Sequence, residues 1–150
     1  PLDCVKKMFR PEKLSPVDMV RVATHYEELE ITESVVSYLR ELGYFVAVNL
    51  IRTGGRSLEL IAQTAAKIES WQSANVLYIA DSFGSMRANE IAPILKTIAK
   101  NWSGNTGFHG HDNIGQAINC SLQALQSEFV FEGQKRNRFV IFTLFGEFAP

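Results

Sequence analysis

The sequence predicts an α/β protein built on a parallel sheet, and three observations carry that expectation. Four strand-like runs alternate with stretches whose apolar residues recur at helical spacing. Enough chain separates successive runs for the helical crossover that parallel neighbours require. Unusual polar residues also gather just past the strand ends, where the ligand crevice of a parallel sheet lies: Thr24-His25, Asn49 with Arg52, Asp81-Ser82, and His109 with His111. Two arrangements satisfy this pattern, an open doubly wound sheet and part of a (β/α)8 barrel. No Gly-X-Gly-X-X-Gly turn follows a strand, which weighs against the dinucleotide-binding version of the first.

Each element has its own signal. Residues 17–24 (VDMVRVAT) read as a buried strand. Ile31, Ser34, Val35, Tyr38, Leu39 and Leu42 then fall on one helical face, and Gly43 stands where a C-cap glycine belongs. Residues 44–51 (YFVAVNLI) form a second strand, rich in aromatic and β-branched residues. After the Thr53-Gly54-Gly55 loop, Ser57 is the expected N-cap of a helix whose stripe is Leu58, Ile61, Ala62, Ala65 and Ile68. Residues 75–80 (NVLYIA) make a third strand, ending in Asp81-Ser82-Phe83-Gly84. Asn89 is expected to cap a helix carrying Ile91, Ile94, Leu95 and Ile98, with Pro93 in its first turn. Gly107-Phe108-His109 closes a fourth strand, and Ile114, Ala117, Ile118, Ser121, Leu122 and Leu125 mark a last helix.

Composition narrows the function classes. With 150 residues, 46% hydrophobic and 21% charged, the chain has apolar material for one core and is treated as a single domain, residues 1–150. A net charge of −1 gives no electrostatic reason to expect nucleic acid or an anionic membrane surface as partner. Cys4 and Cys120 make no disulfide framework, and no apolar run reaches the length of a membrane span. A reducing cytoplasm is the expected compartment. The chain opens on Pro1, which suggests a segment whose natural start lies upstream.

Chemistry concentrates at His109-Gly110-His111-Asp112-Asn113. Side chains at i and i+2 of a strand share a face, so His109 and His111 can hold one divalent cation between them. The alternative is a histidine pair that meets water or a carboxylate. Asn113 either caps the last helix or orients a histidine ligand. His25 either faces the pocket, touching substrate, or hydrogen-bonds near the following helix. Asn49 is expected to point inward, either as a polar core group that helps order the pocket or as a candidate substrate contact. Asp81 is either a catalytic, substrate-facing group or an acceptor for backbone N–H groups of the next turn. Arg21, flanked by apolar residues, is expected to be partly buried in an ion pair, with Asp18 one candidate. Cys120, Trp71 and Trp102 read as packing residues.

Taken in order, Arg21-Val-Ala-Thr-His25, Glu41-Leu-Gly-Tyr44, Tyr78-Ile-Ala-Asp-Ser-Phe-Gly-Ser-Met86 and Gly107-Phe-His-Gly-His-Asp-Asn113 resemble the pyruvate-carboxyltransferase-like (HMG-CoA-lyase-like) metal-dependent barrels. Within that family, 4-hydroxy-2-oxovalerate aldolases are the branch they resemble most. The resemblance runs from about Val17 to Leu125 and implies a partial (β/α)8 barrel, about four βα units matching strands four to seven. It implies His109 and His111 as ligands of Mn²⁺ or Mg²⁺, and Ser82 as a contact to the substrate's carboxylate end. The third ligand, a first-strand aspartate, and the catalytic base would lie upstream of Pro1. The implied reaction is retro-aldol cleavage of a 4-hydroxy-2-oxo acid to pyruvate and an aldehyde, with the cation acting as Lewis acid. A homo-oligomer or a partner dehydrogenase that takes up the aldehyde would be consistent with it.

Departures from the family matter equally. A whole barrel needs roughly 250 residues, so this chain supplies part of one. Residues 126–150 leave the family pattern and read as an irregular tail, whose apolar run Phe139 to Phe145 is either a replacement strand or an aggregation hazard. Two other readings stand beside the aldolase: an acyltransferase of the same superfamily joining an acyl-CoA to a 2-oxo acid, and an inactive half-barrel.

Overall fold

A computed structural model describes residues 2–127 with their side chains and residues 140–143 as backbone. Five strands, β1 (Met19–Thr24), β2 (Phe45–Leu50), β3 (Val76–Asp81), β4 (Asn105–Gly110) and β5 (Val140–Thr143), lie in the order β1-β2-β3-β4-β5, each parallel to the next. Between them run α2 (Leu29–Glu41), α3 (Leu58–Trp71), α4 (Ala88–Ala99) and α5 (Ala117–Gln126); α1 (Leu2–Met8) and a 3-10 turn at Glu12–Leu14 precede the sheet.

This order decides between the two architectures. A doubly wound sheet reverses its strand order and carries helices on both faces. Here spatial order follows chain order, and the helices share one face. Val36, Leu39, Ile61, Ile68, Ile91 and Ile98 form one buried cluster with the outward strand residues Val46, Val48, Leu50, Leu77, Ile79 and Phe108. The opposite face holds a separate small cluster of Ala47, Val76 and Tyr78. Sequential parallel strands with helices on one side are the construction of a (β/α)8 barrel, of which this sheet is a part. Burying each large aliphatic side chain of the outer layer contributes about 1.5–3 kcal/mol. Among the described residues no helix is long and apolar enough to cross a membrane.

Several expectations change in detail. β1 is not a buried strand: it is the sheet edge among the described residues, and Met19 and Ala23 are exposed. α2 buries Thr32, Val35, Val36 and Leu39 while Ile31 is exposed, and α5 buries Ala117, Cys120, Ser121 and Ala124 while Ile114, Ile118, Leu122 and Leu125 are exposed. Both helices keep the expected period but are rotated about their axes, α5 seating its small residues against the sheet. α4 starts at Ala88 instead of being capped by Asn89; the Glu90 carboxylate accepts from the Arg87 N–H at 2.7 Å. Pro93 therefore sits inside the helix, where it withholds the N–H that the Asn89 carbonyl would otherwise accept.

Other expectations hold. The Ser57 hydroxyl caps α3 by accepting from Leu60 N–H at 3.2 Å, and Gly43 takes a φ of 98° behind α2. Of the tail, Val140–Thr143 is a strand paired with β4, and Gln126 ends α5; residues 128–139 and 144–150 lie outside the described residues. The sequence reading missed α1, which lays Leu2 and Val5 against the core; after it Phe9 meets the Tyr44 ring edge-on, with centroids 5.7 Å apart.

Candidate metal centre at the C-terminal ends of the strands

Strand alternation sorts the candidate residues between two faces. Residues 47, 49, 76 and 78 point to the inner face, and on β4 the same face takes Gly107 and His109, since Phe108 packs outward. Register brings Asn49, Tyr78 and Gly107 side by side, and one level nearer the C-terminal ends Ala80 lies beside His109. His111 follows the last residue of β4.

The two histidines converge. Their Nε2 atoms lie 3.2 Å apart, a hydrogen bond in which one ring donates and the other accepts, with ring centroids 5.0 Å apart and planes tilted by 54°. Two nitrogens bound to one cation at about 2.1 Å, at an angle between 90° and 110°, lie about 3.0–3.4 Å apart. The observed separation fits. Burial foremost, then the neighbouring His111 ring and the Arg21 cation, holds His109 below the usual histidine range. The neutral imidazole that ligation requires is therefore the favoured form. Among the described residues no group of three His, Cys, Asp or Glu side chains is placed to complete a site.

Below the pair is a cationic floor. The Arg21 guanidinium stands over the Tyr78 ring, 5.3 Å from its centroid, and that ring covers Gly107, where any side chain would overlap it. Arg21 is thus half-buried, as expected, but its aromatic contact was not foreseen. Asn49 is 8% exposed, and its Oδ1 accepts no hydrogen bond among the described residues.

The remaining candidates divide. Asp81 faces the helices, away from His109, and its carboxylate accepts from Ser85 N–H at 3.0 Å and Met86 N–H at 2.9 Å. Of its two expected roles, the geometry supplies the turn acceptor. The Ser82 Oγ accepts from the Arg52 N–H at 2.9 Å, which leaves its own O–H to donate elsewhere. His25 follows β1, and its carbonyl accepts from the Thr24 hydroxyl and the Glu28 N–H. Three strand spacings separate β1 from β4, about 14 Å, so His25 and the histidine pair do not share one cation. Asn113 neither caps α5 nor reaches a histidine ring: its Nδ2 donates to the Phe83 carbonyl at 2.9 Å, while Asp112 accepts from Ala117 N–H at the start of α5.

What sequence reasoning missed is that each loop at this end is tied to the next. Tyr26 OH donates to Thr53 Oγ1, Thr53 N–H donates to the Ala80 carbonyl, and Asn113 reaches Phe83. Arg52 adopts a φ of 57°, an uncommon conformation for a side-chain-bearing residue, with its N–H on Ser82 and its guanidinium 5.4 Å from the Phe83 ring centroid. A buried threonine directly before Gly54-Gly55 was the available signal.

The chain is 34% identical over 122 residues to 4-hydroxy-2-oxovalerate aldolase of Geobacillus genomosp. 3, covering 81% of this chain and 36% of that protein. It is 34% identical over 113 residues to the Pseudomonas putida protein of the same name, covering 74% of this chain and 32% of that one. The chain therefore spans about a third of the length of these relatives. Among solved structures, the carboxyl transferase domain of Rhizobium etli pyruvate carboxylase with pyruvate and biocytin superposes with a TM-score of 0.78 at 18% identity, covering 95% of this chain and 24% of that one. The HMGL-like family profile matches residues 17–129, and the chain belongs to the HMGL-like family.

Proposed function

We propose that this chain carries the two-histidine part of the metal centre of an aldolase that cleaves a 4-hydroxy-2-oxo acid to pyruvate and an aldehyde. The observation that carries the reading is the 3.2 Å approach of the His109 and His111 Nε2 atoms at the C-terminal end of the sheet. The names of the relatives supply the reaction type. His109 and His111 would hold Mn²⁺ or Mg²⁺, and a third ligand would come from outside the described residues. When bound, the cation supplies Lewis-acid polarisation of the ketone oxygen.

The chain's own residues supply the surroundings of the histidine pair. The Ser82 hydroxyl, with its lone pair already on Arg52 N–H, directs its hydrogen toward a substrate carboxylate. Asn49 offers a desolvated carbonyl oxygen to a substrate hydroxyl, and a buried acceptor without a donor is costly enough to favour filling it. Asp81 holds the turn that presents Ser82. Arg21 on Tyr78 makes the floor positive, which suits an anionic substrate.

The test fuses this chain to the remaining barrel strands of a curated relative and assays pyruvate release from 4-hydroxy-2-oxovalerate with Mn²⁺. Metal-dependent release that falls by at least about 100-fold in His109→Ala is expected. A folded fusion that instead consumes an acyl-CoA with a 2-oxo acid supports the acyltransferase alternative. One that does neither overturns the proposal.

A further inference from the structure

His111 lies just past the last residue of β4, so the sheet's hydrogen-bond ladder does not by itself fix its position. The loop after β3 does. Gly84 adopts a φ of 58°, and a Cβ there would stand 2.7 Å from the Asn113 backbone nitrogen and 2.8 Å from the His111 carbonyl oxygen. These are backbone atoms that cannot swing aside. Next to this approach, the Asn113 amide donates to the Phe83 carbonyl at 2.9 Å. The β3 loop is itself rigid, since the Asp81 carboxylate takes the Ser85 and Met86 N–H groups and the Asp81 carbonyl takes the Gly84 N–H at 3.1 Å. Asp112 accepts from Ala117 N–H at 2.7 Å and so anchors the far side of the histidine loop to α5.

We infer that Gly84 and Asn113 are positioning residues for His111: the β3 loop clasps the chain from His111 to Asn113 and so sets the His109–His111 separation. The ligand function of the pair rests on the reading above, whereas the clasp itself does not. This gives three parts of Asp81-Ser82-Phe83-Gly84 separate tasks. Asp81 stiffens the turn, Ser82 joins it to the preceding loop, and Gly84 admits the histidine loop.

Gly55 provides the control. It too has a positive φ, 77°, but nothing lies within 4 Å of a Cβ placed there. Gly84→Ala and Gly55→Ala therefore share the backbone penalty, and only the first collides with the histidine loop. In the metal-free 150-residue chain, ring signals in ¹⁵N–¹H spectra report the clasp directly. His111 and His109 signals are expected to move in Gly84→Ala, while those of His25 stay in place; Gly55→Ala should leave all three unchanged. Mn²⁺ affinity by calorimetry should fall about tenfold or more in Gly84→Ala and stay near the parent value in Gly55→Ala. Should Gly84→Ala not fold, Asn113→Ala removes only the bond to Phe83 and should move the same His111 signals in a folded chain. Unchanged His111 signals in whichever of Gly84→Ala and Asn113→Ala folds would overturn the inference. A parent chain that takes up no Mn²⁺ would count against the metal reading alone, because the ring signals decide the clasp without metal.

Discussion

The Tyr78 ring can lie across β4 only because residue 107 has no side chain, and with it lies the Arg21 guanidinium. Gly107→Ala should force the ring off its strand and destabilise the chain by about 1–3 kcal/mol in urea unfolding. Gly55→Ala, with open space around it, has only its positive φ to cost it. A second residue-scale expectation concerns Cys120, whose thiol burial pushes up from 9.0 to about 11, with Asp81, Glu90 and Asp112 adding to it. A thiol raised in the folded state contributes stability that is fully present below pH 9. That contribution is lost as pH rises from about 9 toward 11, because the unfolded chain ionises first. A thiol reagent at neutral pH should therefore label exposed Cys4 and spare Cys120 until the chain unfolds. The i, i+2 spacing marked the histidine pair as a candidate, and the polar residues at the other strand ends and the family resemblance gave it weight. The role of Gly107 was not legible, since it depends on the register of β3 against β4, which no local pattern encodes.

Helix boundaries show where local chemistry is decisive and where packing overrides it. Ser57 was readable because a hydroxyl before an apolar stripe has one obvious partner, an unpaired N–H of the first turn. Ser57→Ala should lower stability by about 1 kcal/mol, measured as a shift in urea midpoint at constant slope. α4 followed a different rule. The Asp81 carboxylate extends the turn after β3 as far as Met86, so the helix begins at Ala88 and takes Pro93 into its interior. α2 and α5 kept the period read from the sequence and changed its phase. Apolar side chains on a helix flank look like core in a sequence, yet the sheet selects the face that seats closest. For α5 that face is Ala117, Cys120, Ser121 and Ala124.

At the scale of the molecule, alternation of strands and helices announced a parallel sheet but left its winding open. Winding is a property of strand order, and a sequence of βα units is compatible with either. The motifs resolved it toward a barrel by resemblance, and the sequential order with helices on one face agrees. The tail was legible as a departure whose apolar run offered a replacement strand, and Val140–Thr143 of that run pairs parallel with the edge that β4 leaves open. The candidate site was half legible. Four strand ends named its address, but which side chains turn inward follows from strand parity, and parity sent Asp81 outward and His109 inward, where the loop after β4 brings His111 to it. The most direct test of that convergence is calorimetric titration of the chain with Mn²⁺ beside a His109→Ala/His111→Ala double variant. Binding by the parent that disappears in the double variant is the predicted result. Equal uptake by both, or none by a folded parent, would contradict a preformed two-histidine half-site.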